Sequence, residues 1–305
     1  MHGRQLLRQD SFHTGEVHAM DTSGIPQYAT RELLNVSMHF DLPGDVDTWA
    51  ELTRPNREWA EEHFAERVSG KPLNPAPSHV RWPYAQKNNA QHVDDNKQFS
   101  HTYPERFWPR WNVNAITMKP GFWNHHRTIQ IGDDVEVTND HEDVVWKGTS
   151  EEFNQAMVAS GHGTHPERKG VRYRYGDLRD VLNLMERSLY TRQAYLPVWF
   201  PEDTGAVDKQ RVPCTIGYHF IVRPSGIDEA PDRLHMVYYM RSCDYVRYLR
   251  DDIYMAGRLG QWVANKLTIQ GHEIIPDSLT LHITSLHSFV GDDYVIRKMV
   301  RDDAS

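Results

Sequence analysis

Residues 234–254 read LHMVYYMRSCDYVRYLRDDIY, and this stretch sets the fold class. Its first seven residues are rich in aromatic and apolar side chains and predict a strand ending at Met240. From Leu249 the pattern changes. Leu249, Ile253, Ala256, Leu259, Val263 and Leu267 recur at helical spacing and place one apolar face on a long helix. A strand followed by an amphipathic helix needs a second strand to close the layer, and LTLHITSL, ending at Leu286, supplies it. Upstream, TIGYHFIV ending at Val222 and QAYLPVWF ending at Phe200 read as further strands. RELLNVSMHFDL, residues 31–42, is another, closed by Pro43-Gly44. The expected architecture is α+β, a mixed or antiparallel sheet flanked by long helices.

Working outward, Pro55 opens a helix, NREWAEEHFAERVSG, with Ala60, Phe64 and Val68 on one stripe and Gly70 and Pro72 as its stop. Residues 71–126 are loop-rich. RTIQIGDDVEVTND predicts a hairpin with Gly132-Asp133 at its turn, and residues 150–175 read as irregular. Leu178, Val181, Leu182, Met185 and Leu189 fit a helix capped by Asp177. Residues 1–30 lack apolar periodicity and read as an irregular arm ahead of a single domain, 31–305.

The chain has 305 residues, of which 39% are hydrophobic and 25% charged, with 9 tryptophans and 14 tyrosines; this excludes a disordered chain. Thirty-four Lys and Arg against 42 Asp and Glu give a net charge of −8, a field that does not favour nucleic acid. No apolar run reaches the roughly 20 residues of a spanning helix, and the first residues lack the apolar core of a signal peptide. The reading is a cytoplasmic protein without a membrane partner. Two cysteines are too few for a disulfide framework or a four-cysteine zinc site. His125-His126 and His162-Gly-Thr-His165 match no zinc spacing, so no metal is expected.

Each cysteine is therefore a packed thiol or a nucleophile. Cys214 follows Val212-Pro213 at the start of a strand, where a cleft can reach it. Arg241, Ser242 and Asp244 end the neighbouring strand, and Arg192 precedes a third. Arginine near a thiol favours the thiolate, the attacking species. Two arginines and a serine also suit a phosphate. A buried structural thiol is the competing reading.

These residues resemble the thymidylate synthase family, and more closely its cytidylate hydroxymethyltransferase branch. RQAYLPVWFPED, RVPCTIGYHF, LHMVYYMRSCDYVRYLRDDIY and LTLHITSLHSF stand in the family's order, while WAEEHFAERVSG and HTYPERFWPRW resemble its glutamate helix and tyrosine loop. The resemblance implies a thymidylate synthase-like fold, 5,10-methylenetetrahydrofolate as one-carbon donor, and a homodimer with shared active sites. It implies Cys214 as the nucleophile toward carbon-6 of a pyrimidine nucleoside monophosphate. Arg241, Ser242, Arg192 from the second subunit and Arg31 would hold the phosphate, His287 the sugar, and Asp244 and Trp82, with Tyr84, the cofactor. Glu61, with Glu66 as fallback, and Tyr103 would move protons. Glu61 as an acid on a solvated helix face is an equal alternative.

Asp252 stands where uracil-specific members of the family carry asparagine. A carboxylate offers acceptors only, which suits the cytosine amine and a protonated N3. The implied reaction is hydroxymethyl transfer to carbon-5 of CMP or dCMP. Methylation or hydroxymethylation of dUMP, and a catalytically silent nucleotide binder, are the alternatives. The sequence departs from the family at Gln193, at Val246 and Tyr248, and at Ser288-Phe289, where the phenolic sugar contact is missing.

Overall fold

The computed structural model describes residues 13–16, 29–82, 99, 101–108, 126–131, 134–139, 144–159, 177–200, 203, 212–227, 230–269 and 272–302. Strands are β1 (His13–Glu16), β2 (Ala29–Asp41), β3 (His126–Ile131), β4 (Asp134–Asn139), β5 (Val144–Thr149), β6 (Tyr195–Pro197), β7 (Thr215–Arg223), β8 (Asp232–Asp244) and β9 (Ile274–Phe289). Helices are α1 (Val46–Thr53), α2 (Arg57–Arg67), α3 (Tyr103–Phe107), α4 (Ser150–Ala159), α5 (Leu178–Arg187), α6 (Leu249–Ile269) and α7 (Asp293–Asp302). They fall into two compact units, one of residues 1–60, 188–194 and 214–305, the other of residues 61–187 and 195–213.

In the first unit five strands form a mixed sheet in the order β1-β2-β9-β8-β7. Neighbours are antiparallel except β8 and β9, which are parallel. Parallel strands need a long crossover, and α6 provides it. Residues 13–16 thus form an edge strand on β2, not part of an irregular arm; backbone pairing, which needs no apolar pattern, orders them. The core lies between the sheet and α6: Met236, Tyr238, Leu279, Leu281 and Ile283 are buried, as are Leu259, Val263 and Leu267. Helix α1 reaches α6 across glycines. A Cβ at Gly257 would lie 2.2 Å from Nε1 of Trp49, and one at Gly260 would lie 2.9 Å from Leu42. Trp49 is edge-on to Phe40 and donates to the Tyr254 carbonyl at 3.0 Å. Gln261 donates to the carbonyls of Pro43 and Asp45, fixing the turn between β2 and α1.

One line of interruption crosses this sheet. Pairing of β9 passes from Ile283 to Ser285 on both sides, so that Thr284 pairs with neither Asn35 of β2 nor Arg241 of β8. Asn35 has a φ of 56°, a left-handed conformation that asparagine tolerates. Strand β7 carries an extra residue, Ile216, between the pairs Thr215–Met240 and Gly217–Tyr239. Alternation changes phase there. β9 buries Leu279, Leu281 and Ile283 before the line but Leu286 and Ser288 beyond it. β8 buries Leu234, Met236, Tyr238 and Met240, then Cys243 and Asp244. The strand predicted to end at Met240 therefore continues to Asp244, with its side chains re-aimed.

In the second unit β3, β4 and β5 form an antiparallel sheet. The expected hairpin is present, its paired ends Ile131 and Asp134 flanking Gly132-Asp133, and β5 adds a third strand. Residues 150–159 are helical, not irregular. Thr149 and Glu152 cap α4 reciprocally, and Phe153 is buried with Val135 and Val137 and packs beside Trp146. Asp177 accepts from the Asp180 amide at the start of α5, as its capping role predicts. Of the strand expected over 193–200, only Tyr195–Pro197 is extended as β6. Arg106 and Asp203 form a buried two-pronged ion pair, at 2.8 and 2.9 Å, and the same carboxylate accepts from the Phe200 amide. Among the described residues no helix is long and apolar enough to cross a membrane.

Candidate active site

Cys214 sits just before β7, half-buried. Its carbonyl accepts from the amide of Arg241, which ties the end of β8 to it at 2.8 Å. This pairing beyond the bulge brings side chains to the thiol. Ser242 donates from Oγ to Sγ at 3.5 Å, and Arg241 Nη2 stands 3.9 Å from the same sulfur. Arg241 also donates to Ser242 Oγ at 3.2 Å. A guanidinium and a hydroxyl donor stand against one sulfur. The two residues expected at the phosphate thus also face the Cys214 thiol.

Asp252 lies in the first turn of α6, its amide bonded to the Tyr248 carbonyl. Its Oδ2 is 3.7 Å from Cys243 Sγ, which is also 3.7 Å from the Asp244 carbonyl. Burial first, and then the Asp252 carboxylate, push the Cys243 thiol well above an ordinary thiol, so this cysteine stays protonated. Of the two cysteines, the half-buried one faces a guanidinium and a hydroxyl, and the buried one is held as a thiol.

Asp244 is buried and shapes its own turn. It accepts from the amides of Val246 and Arg247 and from Arg247 Nη1, at 3.0, 3.1 and 2.9 Å. Arg247 also pairs with Asp292 at 2.7 Å and lies over the Phe289 ring. His287 is paired to Asp244 across the β8–β9 ladder and is edge-on to Phe289. The sequence reading missed Arg247; the Asp-x-x-Arg spacing of residues 244–247 was its signal.

Arg31 pairs with Asp293 of α7. Arg192 is exposed, and its carbonyl accepts from His219 Nε2 at 3.0 Å, which fixes the Nε2–H tautomer.

Glu61, Tyr103 and Trp82 belong to the second unit. Glu61 is half-buried on α2, and Trp82 closes the 3-10 turn Pro77–Arg81. Glu66 is committed elsewhere: it accepts from the Ser78 amide and hydroxyl, both at 2.5 Å, and lies 3.2 Å from His63 Nδ1. Burial raises its carboxyl, but the bonds from His63 and Ser78 outweigh burial and bring it below the ordinary value. Burial and then Arg67 lower His63 to about 4, so the imidazole is neutral at pH 7. These bonds engage Glu66 with Ser78 and His63. Tyr103 starts α3 under the Arg67 guanidinium, 4.0 Å from its ring centroid. Glu105, two residues on, is raised to about 8 by burial, against hydrogen bonds from Asn74 and Thr102.

Tyr84, His125, His162 and His165 lie outside the described residues. Among the described residues no group of three His, Cys, Asp or Glu is arranged to hold a metal ion. The sequence matches no protein-family model and no curated protein.

Proposed function

We propose that the protein is a folate-dependent hydroxymethyltransferase acting on carbon-5 of a cytidine monophosphate, CMP or dCMP. The observation that carries this is the thiol of Cys214 beside Ser242 Oγ and Arg241 Nη2. The Cys214 thiolate adds to carbon-6, forming a C–S bond and moving the ring electrons to carbon-5, which becomes the nucleophile. Arg241 and Ser242 hold the thiolate before attack and the nucleotide phosphate, with Arg192 and Arg31. Asp252 accepts from the cytosine amine and from protonated N3. Glu61 takes the carbon-5 proton and Tyr103 assists its removal. With carbon-5 bonded to the methylene that the folate donor would supply, loss of the carbon-5 proton and departure of tetrahydrofolate would leave an exocyclic methylene; water would add its oxygen there and give up a proton to the general base, while the ring electrons shift back and expel the Cys214 thiolate. 5,10-Methylenetetrahydrofolate supplies the one-carbon group.

Asp244 fits such a cofactor. A carboxylate has about four acceptor sites, and three are used within its turn, which leaves one for a pterin N–H. A homodimer is supported by the sheet face opposite the core, where Ile221, Val237 and Tyr239 are half-buried and His39 and His282 exposed. The test is a product mass spectrum from CMP, dCMP and dUMP, each with methylenetetrahydrofolate, for wild type and Asp252→Asn. The expected product carries an added CH2O on the cytidine nucleotide, and the variant shifts preference toward uridine by the worth of one mispaired bond, about 1 to 3 kcal/mol at each base. No turnover of any of the three nucleotides rejects the activity, and an unchanged cytosine-to-uracil ratio removes Asp252 from base choice.

A further inference from the structure

The sulfur of the buried Cys243 lies 3.7 Å from Oδ2 of Asp252, the residue proposed to read the base. We propose that Cys243 is a positioning residue for base selection, its S–H donating to Asp252 and fixing the carboxyl group that meets the pyrimidine. The inference rests on the reading of Asp252 given above. The thiol has one proton and two acceptors at equal distance, the Asp252 carboxylate and the Asp244 carbonyl. A charged acceptor binds a donor more strongly than a neutral carbonyl does, so the proton goes to Asp252. Burial and the neighbouring acids keep that proton in place. Asp252 Oδ2 is thereby given a fixed donor at 3.7 Å. With asparagine at position 252 the same donor selects the amide oxygen and directs the amide N–H2 away from the sulfur. Cys243 therefore sharpens both the cytosine preference of the carboxylate and the uracil preference of the amide. A thiol that only fills space does neither.

The test is a double-mutant cycle on the cytosine-to-uracil ratio of kcat/KM, with Cys243→Ala and Cys243→Ser made in the wild type and in Asp252→Asn. The change in ratio produced by Asp252→Asn is expected to shrink at least about threefold when residue 243 is Ala, the scale of one modest hydrogen bond, and to survive when it is Ser. Equal loss of kcat/KM for both bases, with the ratio change intact, would overturn the proposal and leave the Asp252 reading standing. No ratio change on Asp252→Asn in the wild-type background overturns both. A second measurement needs no activity. In Cys214→Ala protein Cys243 is the only thiol, so the Raman S–H stretching band reports it alone. The band is expected below the free-thiol position and to move up on Asp252→Asn, the amide being the weaker acceptor; a band at the free-thiol position that ignores residue 252 refutes the hydrogen bond.

Discussion

Replacing Gly257 by alanine tests the packing that carries the site. In an exposed helix interior the change stabilises by about 1 kcal/mol, because glycine is the poorer helix former. Here the added methyl would stand 2.2 Å from Nε1 and 2.3 Å from Cε2 of Trp49, both of them atoms of a rigid indole that is 1% exposed. Ordinary contact needs more than a further ångström, so α1 and α6 must separate or Trp49 must turn. Overpacking of this kind costs about 1 to 3 kcal/mol. A turned indole also abandons the 3.0 Å bond to the Tyr254 carbonyl, leaving a buried donor and acceptor at a further ~1 to 3 kcal/mol. Net of helix propensity, Gly257→Ala is expected to destabilise by about 1 to 5 kcal/mol. Urea unfolding followed by fluorescence reads this as a lower midpoint at unchanged slope. In a Trp49→Leu background the same substitution should cost little or even stabilise. A Gly257→Ala protein as stable as wild type, within about 0.5 kcal/mol, refutes the close approach of α1 to α6.

Cys214→Ala is expected to abolish turnover while nucleotide still binds, as calorimetry would show; substantial retained activity excludes covalent catalysis. Mixing inactive Cys214→Ala and Arg192→Ala subunits should restore activity, because one hybrid site carries both defects and the other neither; no recovery after proven subunit exchange counts against a shared site. Stability should fall as pH rises from the ordinary glutamate range to about 8, because native Glu105 holds a proton there that the unfolded chain has released. Each unit inside that window is worth up to about 1.4 kcal/mol, and Glu105→Gln should remove the slope; a slope identical in both proteins would place the titration elsewhere.

The sequence pattern located β2, β7, β8, β9, α5 and α6 because their apolar faces repeat cleanly at periods of two and 3.6. β1 escaped detection because backbone pairing alone orders it, and α4 because its capping pair and single buried Phe153 leave little periodicity. That Arg241 and Ser242 lie beside Cys214 was legible from their places at neighbouring strand ends. The contact of Cys243 with Asp252 was not, since it depends on β8 changing phase beyond Met240. Likewise, that Glu66 is engaged by Ser78 depends on a turn no local pattern foretells.

The interruption shared by β2, β9, β8 and β7 also constrains how the chain can change over evolutionary time. Asn35, Thr284, Arg241 and Ile216 mark one seam from four distant places in the sequence. A one-residue deletion in any of these strands beyond the seam would exchange its inward and outward side chains while its neighbours kept theirs. Cys214 and its partners on β8 would then fall out of step. Length variation is therefore expected in the loops and at the outer edge β1, whereas along the seam the four strands can only drift together, by substitution.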